Sequence, residues 1–184
     1  MSMSVRKITL YALFLALSTL LGYVESLIPL PFLPPGVHLG LANACFLLLL
    51  LHFPFYEVFL IDVGRVLLVA LLRGTFLSMG FAMSATGAVL SFAAMALSTN
   101  LLRKWLSPFG HSLLGSTFHA VGQIAAGCLY MSTWAIASYL PILLLLNCLS
   151  SALVGGLVTL LERNDYLQRY FRQFKKRDSE ASES

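Results

Sequence analysis

The sequence predicts an all-α protein, a polytopic bundle of six membrane-crossing helices with both chain ends on the cytoplasmic side. Three observations carry that expectation. Of 184 residues, 58% are hydrophobic and only 11% are charged, and the mean hydropathy is +0.83. A soluble domain carries about 25% charged residues, because a globule in water needs polar surface. The apolar residues fall in long runs without period-two alternation, which excludes strands, and a helix satisfies its own backbone groups in lipid. The basic residues are distributed unevenly along the chain, and an even number of crossings gathers nearly all of them on one side.

The first span is residues 8–28, long enough for the roughly 20 apolar residues that a crossing needs. Arg6 and Lys7 precede it, and Ala16, Leu17 and Ser18 loosely resemble a cleavage site. The apolar run outlasts an ordinary signal-peptide core, so an uncleaved span is expected. Pro29, Pro31, Pro34, Pro35 and Gly36 make a loop, since proline removes donors and blocks helix continuation. The second span is short, residues 38–52, and ends at Phe53 and Pro54. The third is 55–72, closed by Arg73 and Gly74, and the fourth is 76–102, ending at Arg103 and Lys104. A turn at Ser107, Pro108, Phe109 and Gly110 leads to the fifth, 111–131. The sixth is 134–161, with Pro141 placed to kink its first half. Six crossings put Arg6, Lys7, Arg103, Lys104, Arg163, Arg169, Arg172, Lys175, Lys176 and Arg177 on one side; only Arg65 and Arg73 of the twelve basic residues fall elsewhere. Five or seven crossings would separate the tail from the amino terminus.

The expected organisation is a transmembrane domain over 1–161, a basic amphipathic cytoplasmic tail over 162–177, and disorder over 178–184. In the tail, Tyr166, Tyr170 and Phe174 share a helical face, with Leu167 and Phe171 beside them and basic residues interleaved. That pattern predicts a helix lying on the inner leaflet. The net charge of +4 therefore reads as topology and affinity for anionic lipid, and no nucleic-acid partner is expected. Cys45, Cys128 and Cys148 lie in apolar segments without a CxxC pair, so they read as small buried hydrophobes, with no disulfide and no metal centre.

Polar residues inside spans are the candidates for function, because lipid drives them toward the bundle interior or a cavity. Asp62 and Arg65, three apart, form a pair on one face. His119 and Gln123 are four apart, as are Asn147 and Ser151. Asn43 lies in the second span, His38 at its outer end, and Glu25 at the end of the first. Glu25, His38, Asn43, Arg65, His119, Gln123 and Asn147 are the expected lining of a polar pocket for a small molecule, with interhelical hydrogen bonding as the competing use. Small residues recur at Ala12 and Ala16 on the first span, at Gly80, Ser84, Gly87 and Ser91 on the fourth, and at Gly115, Gly122 and Ala126 on the fifth. Such faces permit close helix packing. There is no P-loop, no DDxxD, no HExxH and no GxSxG, and Asp62, Asp165 and Asp178 are widely separated. Diphosphate chemistry needs clustered carboxylates to hold Mg²⁺, so no catalysis by this chain alone and no cofactor are expected.

Tyr23, Val24, Glu25, Ser26, Leu27, Ile28, Pro29, Leu30, Pro31 and Phe32 carry a family likeness. It continues through Pro34, Pro35, Gly36, Val37, Leu39, Gly40, Leu41, Ala42 and Asn43. With Arg65, Val66, Leu67, Leu68, His119, Gly122 and Gln123, these residues resemble the Gx transporter family, also known as heptaprenyl diphosphate synthase component I, over about residues 6–161. His38 stands where the family more usually has Lys, and Asp62 is atypical of it. The family is similar in layout to the substrate-binding S components of energy-coupling factor transporters. That likeness implies an S-component-like fold in which loop 29–37 is a lid over the ligand and Ala12 and Ala16 face an energy-coupling partner. Two readings follow. In the first, the chain is a solute-binding subunit of a small-molecule transporter in a bacterial cytoplasmic membrane, energised by an ATPase and transmembrane module. In the second, it is a non-catalytic membrane partner of a polyprenyl diphosphate synthase whose catalytic subunit lies elsewhere. Of the two, the sequence favours transport.

Overall fold

The computed structural model describes residues 5–27 and 41–183, with side chains through residue 174. The 29–37 loop and His38 lie outside the described residues. Every regular element described is helical: α1 (Val5–Leu27), α2 (Asn43–His52), α3 (Phe55–Leu72), α4 (Met79–Leu101), α5 (Pro108–Met131), a 3₁₀ turn (Trp134–Tyr139), α6 (Leu140–Arg163) and α7 (Asp165–Glu183).

Local chemistry sets the boundaries. Pro54 in extended conformation separates α2 from α3. The Ser78 hydroxyl accepts from the Phe81 amide and starts α4. Ser107 caps α5 in the same way through Gly110, with Pro108 in the first turn. These hydroxyls satisfy amides that a helix start leaves without partners. Pro141 corrects the sequence expectation. It sits in the first turn of α6, directly after the 3₁₀ turn, so it opens the α-helix and does not kink it. Its fixed φ suits that position, and its missing N–H costs nothing there.

Among the described residues, three segments are long and apolar enough to cross a membrane: α1, α4, and the stretch Trp134–Arg163. The helix α3 has 18 residues but carries Glu57, Asp62 and Arg65. The 24 residues of α5 include His111, His119 and Gln123. The second predicted span is the clearest departure, because α2 has only ten residues. At 1.5 Å per residue it is about 15 Å long, half of a roughly 30 Å hydrocarbon core. All of Asn43, Ala44, Cys45, Phe46, Leu47, Leu48, Leu49 and Leu50 are buried. An apolar helix without a polar face belongs inside a protein, and α2 touches α1, α3, α4, α5 and α6.

The small residues of α4, α5 and α6 bring backbones together. A Cβ added to Gly122 would lie 2.9 Å from the Gly87 Cα and 2.9 Å from the Thr86 carbonyl. One added to Gly155 would lie 2.5 Å from the Phe109 Cα. Ala12 and Ala16, in contrast, are exposed on α1 beside Leu13, Leu17 and Leu20.

One end of the bundle gathers the start of α1, the end of α2, the start of α3, and the ends of α4 and α6. Lys7 donates to Glu57 at 2.8 Å, and the Tyr11 hydroxyl donates to the other oxygen of the same carboxylate. Arg103 donates to the Leu51 carbonyl at 3.1 Å, and His52 lies 3.5 Å from Glu162. The tail also departs from expectation. It turns sharply at Asn164, whose side chain accepts from the Tyr166 amide, and folds back onto this end. Phe171 stacks on His52 with centroids 4.2 Å apart, and Phe171 and Phe174 each meet Phe53 edge-on at 5.9 Å. Gln168 donates to the Glu162 carboxylate at 2.8 Å. The stripe Leu167, Phe171 and Phe174, at helical spacing, is thus covered by the protein's own bundle. The α7 backbone remains helical to Glu183, past residue 178, and no Gly or Pro interrupts residues 165–183.

Candidate functional site

Six of the seven predicted site residues are described, and all six are buried. Glu25, Asn43 and Arg65 are at most 6% exposed, and His119, Gln123 and Asn147 at most 1%. They are arranged around the amino-terminal half of α2 in two groups.

On the first side stand α1 and α3. Glu25, near the end of α1, accepts from the Leu41 amide at 3.0 Å, just ahead of α2. A carboxylate there also complements the positive end of the α2 dipole. Arg65 donates through Nε and Nη2 to one Asp62 oxygen, at 3.1 and 2.9 Å. Its guanidinium carbon lies 5.3 Å from the Phe46 ring centroid, so the cation is held between a carboxylate and the face of an α2 aromatic. Gly22 lets α1 approach this pair, since a Cβ there would lie 3.6 Å from the guanidinium.

On the second side, α4, α5 and α6 meet. Asn43 on α2 donates to the Ser91 hydroxyl of α4 at 3.0 Å, which ties α2 to this group. His119 and Gln123 press on Gly87, where an added Cβ would meet the Gln123 Cγ at 2.9 Å and the His119 ring at 3.1 Å. Asn147 on α6 donates to the Ser116 carbonyl of α5 at 3.1 Å, and Ser116 and Ser151 share a hydroxyl–hydroxyl bond. The Asn147 Oδ1 is fully buried and accepts no hydrogen bond among the described residues. A buried acceptor left without a donor costs roughly 1–3 kcal/mol, so it is a natural contact for a ligand or water.

The expected Asp62–Arg65 pair therefore forms, and most of its charge is satisfied internally. Sequence reasoning passed over two polar hubs at the basic end: Lys7 with Tyr11 and Glu57, and His52 with Glu162 and Gln168. The available signal was Glu57, an acidic residue in the first turn of an apolar helix, which calls for a partner. What this site can do is hydrogen-bond a small molecule or rigidify the bundle. Among the described residues, no group of three or more His, Cys, Asp or Glu side chains converges as metal ligands would.

Long apolar helices wrapped around a buried polar layer define an integral membrane protein of the all-helical class. A family model for heptaprenyl diphosphate synthase component I matches residues 14–161, and the chain belongs to that family. No curated protein and no solved structure matches it.

Proposed function

We propose that the chain is a non-catalytic membrane subunit acting with a separate polyprenyl diphosphate synthase subunit. The observation that carries this reading is the family match, which covers 148 residues, from 14 to 161, and nearly the whole bundle. The absence of converging carboxylates among the described residues supports placing the chemistry in the partner. We further propose six crossings with both ends in the cytoplasm. The shared end of α1, α2, α3, α4 and α6, with Lys7, Arg103 and Arg163 on it, supports that arrangement. In it the ten-residue α2 supplies only about half the length of the second crossing. Co-expression with a polyprenyl diphosphate synthase subunit from the same genome tests the reading. Activity or product chain length should change, and the two chains should co-purify from membranes. Unchanged products together with no co-purification would remove it.

A second reading is favoured by the buried polar layer around α2 and by the unpaired Asn147 Oδ1 within it. Here the chain binds a small solute among Glu25, His38, Asn43, Arg65, His119, Gln123 and Asn147. An energy-coupling ATPase module would then dock on α1 at Ala12 and Ala16. Native mass spectrometry of the purified chain should show a retained small molecule that Asn147→Leu and Gln123→Leu release. A ligand-free protein that never captures an ATPase module speaks against it.

A further inference from the structure

We propose that the α7 end of the bundle is a binding surface for anionic phospholipid headgroups. The geometry of the tail carries this. Because Leu167, Phe171 and Phe174 are turned onto the bundle, α7 is a fixed platform and not an inserting amphipathic helix. Its opposite face presents Arg169 and Arg172, while Tyr166, 85% exposed, and Tyr170, in ring contact with Phe171 and Phe174, stand along its edge. Asn164 is the sole residue between α6 and α7, so the platform begins where the apolar surface of α6 stops. In the six-crossing arrangement proposed above, that junction falls at the depth of the headgroups.

The charge on this end is one-sided for a structural reason. Its buried carboxylate Glu57 is neutralised internally by Lys7, with Tyr11 donating to it, and the half-buried Glu162 accepts from Gln168 and lies 3.5 Å from His52. Arg6, Arg103, Lys104, Arg163, Arg169 and Arg172 remain exposed against Asp165, while the sequence that follows balances Lys175, Lys176 and Arg177 with Asp178, Glu180 and Glu183. Trp105, also 85% exposed, stands beside Lys104 in the α4–α5 connection. Arg103 anchors that connection to the carbonyl of Leu51, next to the His52 on which Phe171 stacks. Exposed basic residues interleaved with Trp and Tyr form the composition that a headgroup layer favours, aromatic edges at the interface and cations on phosphates. An acidic protein would use the cations but not require the aromatics.

The proposal stands apart from the synthase and solute readings. It is tested by native mass spectrometry of the full chain in detergent, titrated separately with phosphatidylglycerol and phosphatidylcholine of identical acyl chains. The wild type should retain phosphatidylglycerol in clear preference, and the preference should fall as ionic strength rises. Arg169→Gln with Arg172→Gln should weaken phosphatidylglycerol roughly 25-fold, about fivefold per arginine. Arg73→Gln, at the other end of α3, should change nothing; circular dichroism and monodispersity establish that each variant folds. Equal retention of the two lipids, a preference indifferent to salt, or an equal loss in Arg73→Gln overturns the proposal. So does a double variant that keeps its lipid preference while losing capture of an acidic protein, which would assign the face to that protein.

Discussion

Two neighbouring glycines on α6 offer a matched test of the packing. Gly155 faces α5, where an added Cβ would fall 2.5 Å from the Phe109 Cα and 3.0 Å from its amide nitrogen. Gly156, one residue on, has nothing within 4 Å of the same position. Alanine at either site gains the same helix propensity, at most about 1 kcal/mol. At Gly156 that gain stands alone, and Gly156→Ala should stabilise by up to that amount. At Gly155 the intruding methyl meets main chain that cannot rotate away, so α5 and α6 must separate by about an ångström. Overpacking of this kind costs roughly 1–3 kcal/mol, and the upper part of the range applies because backbone must move. Gly155→Ala should then be destabilised by about 1–2 kcal/mol, some 2–3 kcal/mol below Gly156→Ala. For a chain of this size each kcal/mol is worth roughly 2–4 °C, so the melting temperatures should differ by about 4–12 °C. Thermal unfolding in one detergent at one scan rate, followed through Trp105 and Trp134 fluorescence, reads the difference. A Gly155→Ala protein as stable as Gly156→Ala would refute the close α5–α6 approach.

The remaining predictions concern the basic end and the polar layer. Glu57→Leu should lower the melting temperature because it removes the carboxylate that Lys7 and Tyr11 share, and adding Lys7→Met should recover part of that loss in the same assay. Asp62→Ala should behave similarly toward Arg65, with Asp62→Leu plus Arg65→Met more stable than the single variant; the opposite order would show that the pair is not the structural contact drawn here. Phe171→Ala should release α7 without unfolding the bundle, so trypsin should cut at Arg169 and Arg172 at least about tenfold faster while the melting temperature moves little. Unchanged cleavage would mean that the Phe171–His52 stack does not hold the tail.

Where a chemical stop signal stands in the chain, the sequence located the helices well. Residues 55–72 were readable as α3 because Pro54 precedes them and Arg73 and Gly74 follow, and the structure puts Gly74 at φ +63. Residues without such signals were harder. Hydropathy distinguishes apolar from polar, but it does not say whether lipid or protein covers an apolar side chain. That ambiguity concealed the brevity and full burial of α2, and it left Phe171 and Phe174 looking like a lipid-facing stripe. The opening role of Pro141 was hidden because Trp134, Ala135 and Ile136 are apolar too, so the run showed no break before the proline. Of the site, the burial of polar groups inside spans was legible from their desolvation cost. Their division into an α1–α3 group and an α4–α5–α6 group was not, because partners such as Ser91 and Ser116 lie on other helices and no spacing along the chain encodes them.

The ten-residue α2 has a bearing on how the protein is made. A nascent segment leaves the insertion channel for lipid on its own hydrophobic merit when it is about 20 residues long. At half that length, with Asn43 at one tip and His52 at the other, α2 gains most of its described surroundings from α1, α3, α4, α5 and α6. Four of those five are synthesised after it. In the six-crossing arrangement α2 must wait at the channel or the membrane surface until α6 emerges, so biogenesis ends with the enclosure of the helix that was translated second.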